Sequence, residues 1–97
     1  MSSNTRIFRT PEFEKWFGAQ TEKVQTIVEA RLDRIILFDH FGLIRRFDGI
    51  IELKWKSGLR IYLGPIDNSG LLALLGGNKN GQDKDIKKAK SILAAYT

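Results

Sequence analysis

The sequence predicts a small α+β domain in which a mainly antiparallel four-stranded sheet packs with an N-terminal helical hairpin and a C-terminal helix. Three observations predict this class. Residues 50–66 alternate between apolar and polar side chains, as half-buried strands do. Apolar residues recur at helical spacing in residues 13–38 and again in residues 86–96. The short run Leu71–Leu75 is apolar at every position, which is typical of a strand covered on both faces.

The first half of the chain is predicted to form one strand and two helices. Arg6–Thr10 predicts a short strand. Thr10 is suited to cap the first helix, with Pro11 at its first helical position, and Thr21 is suited to cap a second helix over residues 21–38. The apolar side chains of the shared helical face are Phe13, Trp16, Phe17, Val24, Ile27, Val28, Leu32, Ile35 and Ile36. The two helices are therefore predicted to form a hairpin with one apolar face.

The second half is predicted to form three strands and a helix. Residues 39–48 break the apolar pattern and predict a loop that carries Arg45 and Arg46. The three strands are predicted at Ile50–Trp55, Leu59–Ile66 and Leu71–Leu75. The last two are joined across residues 67–70, Asp-Asn-Ser-Gly, which are residue types favoured in turns. The final helix is predicted from about Gln82 to Tyr96, so the order is strand, helix, helix, three strands, helix.

Length and composition restrict the kind of protein. Ninety-seven residues, 42% hydrophobic and 28% charged, predict one globular domain. The absence of cysteine excludes disulfides, cysteine nucleophiles and thiolate metal sites, and the single histidine argues against a zinc centre. We therefore expect no metal and no cofactor. No apolar run is long enough for a signal peptide or a bilayer span, so we expect a soluble, cytoplasmic protein without a membrane partner.

The formal net charge of +5 is unevenly distributed. Residues 1–48 contain eight basic and seven acidic residues, whereas residues 49–97 contain eight basic and four acidic residues. An excess of positive charge in one half favours an anionic partner, which can be RNA, DNA or an acidic protein segment. The alternative is a basic surface that serves only solubility.

Basic side chains lie on the polar face of the predicted strand pair. Alternation along the predicted strand Ile50–Trp55 places Glu52, Lys54 and Lys56 on the face opposite its apolar residues. Arg60 and Tyr62 occupy the polar face of the next strand. The pattern predicts that one face of this pair packs while the other binds phosphate.

Five local motifs occur in a specific order along the chain. They are Thr10, Phe13 and Trp16; Arg31, Leu32 and Arg34; Glu52, Leu53 and Lys54; Gly58, Arg60 and Tyr62; and Gly76, Gly77, Lys79, Gln82, Asp85, Ile86 and Ala89. Together with the order of elements, they resemble the RelE/ParE superfamily of bacterial toxins from type II toxin–antitoxin systems. They are most similar to the HigB-like subset of addiction-module killer proteins. Asn78 stands where that subset usually has Asp, and no tyrosine stands near Asp85, where the RelE branch has a catalytic one.

The resemblance implies a RelE/ParE-like fold and a metal-independent endoribonuclease that cleaves messenger RNA on the ribosome. Such toxins use the ribose 2′-hydroxyl as the nucleophile, so the site needs a base, positive charge and a proton donor. Lys54 is the candidate base, Arg60 the phosphate ligand and Lys79 a second catalytic cation. The candidate substrate-binding residues are Lys56, Tyr62, Gln82, Asp85, Arg45 and Arg46. Gln82 and Asp85 can also take part in proton transfer or cap the last helix, and the proton donor is not identified.

The resemblance also implies partners. They are a cognate antitoxin, usually a small helix-turn-helix protein, the ribosome and messenger RNA, with operator DNA bound only through the antitoxin complex. Two alternatives remain open: a ParE-like toxin that inhibits DNA gyrase without nuclease activity, and a degenerate toxin that only binds its antitoxin. Trp16 and Trp55 are predicted to belong to the core.

Overall fold

The computed structural model describes residues 5–68 and 70–97. Its elements are β1 (Arg6–Arg9), α1 (Pro11–Gly18), α2 (Glu22–Phe38), β2 (Ile44–Phe47), β3 (Ile50–Lys54), β4 (Leu59–Pro65), β5 (Gly70–Asn78), a 3-10 turn (Lys79–Gly81) and α3 (Gln82–Tyr96). Ser69, part of the predicted turn 67–70, and residues 1–4 lie outside the described residues. None of the helices in the described ranges is both long and apolar enough to cross a membrane.

The strands form one five-stranded sheet in the order β1-β5-β4-β3-β2. β1 pairs with β5 in parallel, and the other neighbours are antiparallel. β5 has neighbours on both sides, which confirms the interior position predicted from its continuous apolar run. It extends beyond the predicted strand end, so that Gly76 and Gly77 belong to it.

The predicted count of four strands is wrong, because β2 lies within the predicted loop 39–48. β2 pairs with β3 through a tight turn at Asp48 and Gly49, whose φ angles are 48° and 78°. Positive φ at both central residues defines the hairpin turn that Asp-Gly favours. That dipeptide was the available signal for the hairpin. Arg45 and Arg46 are therefore strand residues whose side chains lie on opposite faces of the sheet.

Both predicted threonine caps are confirmed. Thr21 accepts a hydrogen bond from Val24 N at 3.3 Å at the start of α2. Thr10 accepts one from Phe13 N at 3.0 Å, and its Oγ1 also lies 3.0 Å from the carbonyl oxygens of Ala73 and Leu74. Thr10 thus caps α1 and attaches that helix to β5 in one buried contact.

The sheet packs on both faces, which corrects the prediction that one face of the strand pair packs and the other binds. α1 and α2 cover one face, where the fully buried side chains include Phe13, Leu32, Leu53 and Ile61. Trp16 and Trp55 are partly buried against this core, as predicted. α3 covers the other face, where the buried set is Ile50, Tyr62, Leu72, Leu74, Leu75, Ala89 and Ile92. On this second face Lys54 is only partly buried, where β3 ends.

A β-bulge in β5 decides which way its last residues point. Tyr62 pairs with Leu75, but the next residue of β4, Leu63, pairs with Ala73. Leu74 is therefore the extra residue, and both Leu74 and Leu75 pack on the α3 side. Beyond the bulge, Gly76 faces the indole of Trp16 and Gly77 faces Asp85 of α3.

Arg31 is a buried cation that holds the connection between α2 and β2. Its guanidinium donates to the carbonyls of Phe41, at 2.9 Å, and of Leu43 and Lys54, both at 2.5 Å. It also lies 4.2 Å from the ring centre of Trp55. Because one of its acceptors belongs to Lys54, Arg31 fixes the backbone at the end of β3.

We predict that Gly76→Ala destabilises the protein, because the added Cβ would overlap the indole of Trp16. Overpacking of this kind costs about 1 to 3 kcal/mol in unfolding free energy. Gly18→Ala is the matched control, since nothing lies within 4 Å of a Cβ at that position. Urea denaturation of both variants measures the difference. A Gly76→Ala protein as stable as Gly18→Ala would contradict the packing argument.

Candidate functional site

Three strands place Lys54, Arg60 and Gly77 in one row. Lys54 is directly opposite Arg60, and Arg60 is directly opposite Gly77. Residues opposite each other in antiparallel strands project to the same face, here the face that α3 covers. The row lies where β3 ends and β4 begins, so Lys54 is only partly buried there. The sheet thus brings two of the three predicted catalytic cations, Lys54 and Arg60, together at one end.

The guanidinium of Arg60 is nine-tenths buried and largely held by the backbone. Its Nη1 donates to the carbonyls of Trp55, at 3.0 Å, and Leu59, at 2.9 Å. Its Nε has no hydrogen-bond partner among the described residues and lies 3.9 Å from Glu52 Oε2. Arg60 therefore supplies a fixed positive charge, and its Nε is a donor without an acceptor.

Glu52 is a fully buried carboxylate that the sequence did not identify as a site residue. Arg45 Nε donates to Oε1 at 3.0 Å, and Gln82 Nε2 donates to Oε2 at 2.6 Å. With Arg60 close by, the carboxylate faces residues from β2, β4 and α3. Its place on the polar face was predicted, but the donors around it come from distant parts of the chain. Only the strand register and the docking of α3 show that they converge.

Asp85 lies above Gly77, in the first turn of α3. A Cβ at Gly77 would overlap Asp85 Oδ2, and one at Gly81 would lie 3.4 Å from the same oxygen. Burial raises the pKa of the Asp85 carboxyl, although Lys88 and Lys84 partly oppose this shift. Gly77 therefore leaves room for a carboxyl group of the protein itself, next to the row of Lys54 and Arg60.

Lys79 and Lys56 lie at the same end of the sheet and are exposed. Lys79 N donates to the carbonyl of Gly58 at 2.8 Å, and the Lys79 stem lies against the Cα of that glycine, whose φ is 103°. Lys56 lies in the turn that follows β3 and not on the strand itself. Both ammonium groups add positive charge around the row.

Three of the predicted substrate-binding residues are placed differently from the prediction. Tyr62 is fully buried in the α3 core, so its ring cannot stack on a base. Burial, and then the nearby Glu52 and Asp85 carboxylates, raise the pKa of its hydroxyl. Gln82 has its amide nitrogen bound to Glu52, and Arg46 lies on the sheet face away from the row, over the ring of Phe41. Arg45, which is half exposed, is the member of that dipeptide that lies near the row.

A groove of about 560 Å³ lies at the opposite end of the same strands. Its lining includes Phe47, Ile50, Pro65 and Leu71, none of which belongs to the row. Within residues 5–68 and 70–97, no group of three or more His, Cys, Asp or Glu side chains could hold a metal ion. The charged end of the sheet, and not the groove, therefore contains the candidate chemistry.

The architecture matches a fold that is known from a solved structure. It shares the RelE-like fold of a chain in the toxin–antitoxin complex RelBE2 from Mycobacterium tuberculosis, with a TM-score of 0.57 over 78% of this chain and 99% of that chain. The sequence identity is 10%, so the likeness concerns the fold. No family model matches the sequence.

A curated relative establishes the family at the level of sequence. An uncharacterized protein of Haemophilus influenzae is 36% identical over 91 residues, which cover 90% of this chain and 91% of that protein. The chain therefore belongs to the same family as this Haemophilus protein.

We predict that Asp85→Asn stabilises the protein at neutral pH. Because the folded state raises the pKa of Asp85 above its ordinary value of 3.8, protonation of Asp85 favours folding. This contribution of Asp85 to folding stability is fully present below its ordinary pKa of 3.8. It is lost as the pH rises through the higher pKa of the folded state. The gain from Asp85→Asn should therefore be present at pH 7 and shrink towards acid pH.

The measurement is urea denaturation of both proteins from about pH 3 to pH 7. Asp83→Asn is the matched control, because Asp83 is exposed in the same helical turn and feels the same helix dipole. An Asp85→Asn variant that loses as much stability at pH 7 as Asp83→Asn would contradict the role of burial.

Proposed function

We propose that this chain is the toxin of a type II toxin–antitoxin system and that it acts as a ribosome-dependent messenger RNA endoribonuclease. The observation that carries the proposal is the row of Lys54 and Arg60 beside Asp85, with Lys79 at the same end of a RelE-like sheet. The order of sequence motifs supports the HigB-like subset of these toxins. The fold supports the toxin class, and the charged row supports the nuclease activity.

The row contains the groups that cleavage by a ribose hydroxyl needs. The 2′-oxygen attacks the adjacent phosphorus, the bond to the 5′-oxygen breaks, and the products are a cyclic phosphate and a 5′-hydroxyl. Lys54 is the proposed acceptor of the proton of the attacking hydroxyl. Arg60 and Lys79 offset the charge that develops on the phosphate oxygens. Arg60 acts here through its positive charge, because its buried Nε faces Glu52 Oε2 at 3.9 Å.

Asp85 is the proposed proton donor to the leaving 5′-oxygen. Its raised pKa keeps the carboxyl protonated to higher pH than an exposed aspartate. In each cleavage Lys54 gains one proton and Asp85 loses one. Proton exchange with solvent then returns both residues to their starting protonation states. This assignment replaces the tyrosine that the RelE branch carries near this position, and it gives Asp85 a chemical role besides substrate binding.

Exposed cations around the row are proposed to bind the ribosome and the message. Lys84, Lys87 and Lys88 are exposed on α3, and Lys56 and Arg45 lie beside the row. Phosphate contacts from such side chains contribute affinity that weakens with salt. Arg46, on the other face, is proposed to contact RNA away from the scissile phosphate. A cognate antitoxin, proposed to be a helix-turn-helix protein, neutralises the chain and brings it to operator DNA.

The test of the proposal is induction of this chain without an antitoxin. We expect growth arrest and messenger RNA cut within translated codons, mapped by primer extension. Arrest with intact transcripts and DNA double-strand breaks would instead identify the gyrase-inhibiting alternative. Normal growth with the folded protein present would identify a degenerate toxin.

We predict that Lys54→Met and Lys79→Met reduce cleavage while leaving the fold intact. Methionine keeps most of the aliphatic stem, including the Lys79 stem that packs on Gly58, and removes the charge. Loss of a general base costs roughly 100- to 10,000-fold in rate, which is the expectation for Lys54. Lys23→Met, an exposed position on α2, is the matched control. Retained cleavage in both site variants would place the chemistry elsewhere.

A further inference from the structure

We propose that Glu52 is a positioning residue, which holds the first turn of α3 and the guanidinium of Arg60 in the geometry that cleavage requires. The inference deepens the proposed function and rests on it for its catalytic consequence. Glu52 is fully buried and lies opposite Tyr62, two residue pairs away from Lys54 and Arg60 on the same face. It does not reach the open end of the sheet, so it acts through other residues.

The start of α3 has no side-chain cap of its own. α1 and α2 begin at Thr10 and Thr21, whose hydroxyls accept from the first turn, whereas the cap residue of α3, Gly81, offers no side chain. The first turn of α3 is instead attached to the sheet by the 2.6 Å hydrogen bond from Gln82 to Glu52. Glu52 therefore replaces a local cap with a contact across the fold.

That hydrogen bond determines where Asp85 lies. Gln82 is the first residue of α3, and Asp85 is one turn later, above Gly77. If the first turn moved away from β3, Asp85 would leave the space above Gly77. The contact with Glu52 thus sets the distance between the proposed proton donor and the row of cations.

The charge of Glu52 rules out a simple role in anion binding. A carboxylate 3.9 Å from Arg60 Nε opposes an incoming phosphate by Coulomb repulsion. Its removal makes the site more positive, so affinity for RNA should stay the same or rise. Loss of position should instead reduce the rate of the chemical step, because small displacements of catalytic groups cost large factors. Positioning therefore predicts that the cleavage rate falls without a loss of affinity for RNA.

The experiment compares Glu52→Gln with the wild-type chain. We expect a single-turnover cleavage rate lower by roughly 10- to 100-fold. We expect affinity to be equal or higher for a ribosome–message complex whose scissile nucleotide lacks the 2′-hydroxyl. Hydrogen exchange of the amides at residues 83–85 should accelerate, and the Arg60 Nε–H signal in NMR spectra should shift.

A second variant separates position from stability. Glu52→Gln combined with Gln82→Glu exchanges the two partners and allows the same pair to bond with the carboxylate on α3. We expect it to recover the wild-type exchange rates of residues 83–85 and much of the cleavage rate. Glu29→Gln is the matched control, because it removes a carboxylate of α2 that pairs with Arg9 of β1. It should change neither the exchange of residues 83–85 nor the cleavage rate.

The outcomes distinguish this inference from the proposed function. Rate and affinity that fall together with stability, without rescue by the exchange variant, would show that Glu52 serves stability alone. If the wild-type chain cleaves no message, the proposed function fails, and hydrogen exchange still decides whether Glu52 holds α3. Unchanged exchange at residues 83–85 and an unshifted Arg60 signal in Glu52→Gln would overturn the inference.

Discussion

The burial of the Glu52 carboxylate is the constraint on which the second face of the sheet depends. Removing an ionised carboxylate from water costs several kcal/mol unless charged and polar donors surround it. Here Arg45 from β2 and Gln82 from α3 donate to it, while Arg60 from β4 adds its charge. A shift of any of these elements would leave the carboxylate buried without compensation. The pairing of the edge strand and the docking of α3 are therefore coupled through one side chain.

The end of β5 is shaped by a bulge followed by two glycines. Leu74 adds one residue to β5, and this extra residue sends Gly76 towards α1 and Gly77 towards α3. Each glycine receives a side chain of the protein, an indole on one face and a carboxyl on the other. The absent Cβ atoms therefore serve internal packing, and through Asp85 they also shape the candidate site.

The candidate site and the groove lie at opposite ends of the same strands. The groove combines apolar side chains with Arg46, Asp48 and Asp67, whereas the other end has cations whose directions are set by strand register. A phosphate backbone needs fixed positive charge more than an enclosed cavity. Arg31 stabilises the end of β3, because its guanidinium donates a hydrogen bond to the carbonyl of Lys54. The proposed chemistry is thus located by charge on a rigid sheet end.

Local patterns were sufficient for the helices, their threonine caps, the interior strand and the shared face of Lys54 and Arg60, because periodicity and capping depend on near neighbours along the chain. They were insufficient for β2, an edge strand whose two exposed arginines break the apolar pattern. The local signal for this strand was the turn dipeptide Asp48 and Gly49. Local patterns also could not show that Tyr62 is covered or that Glu52 gathers its donors. The sequence by itself determined which side chains share a face of β3 and of β4. Only the tertiary structure decided which faces are covered and which groups meet, since pairing register and helix docking join residues that are distant along the chain.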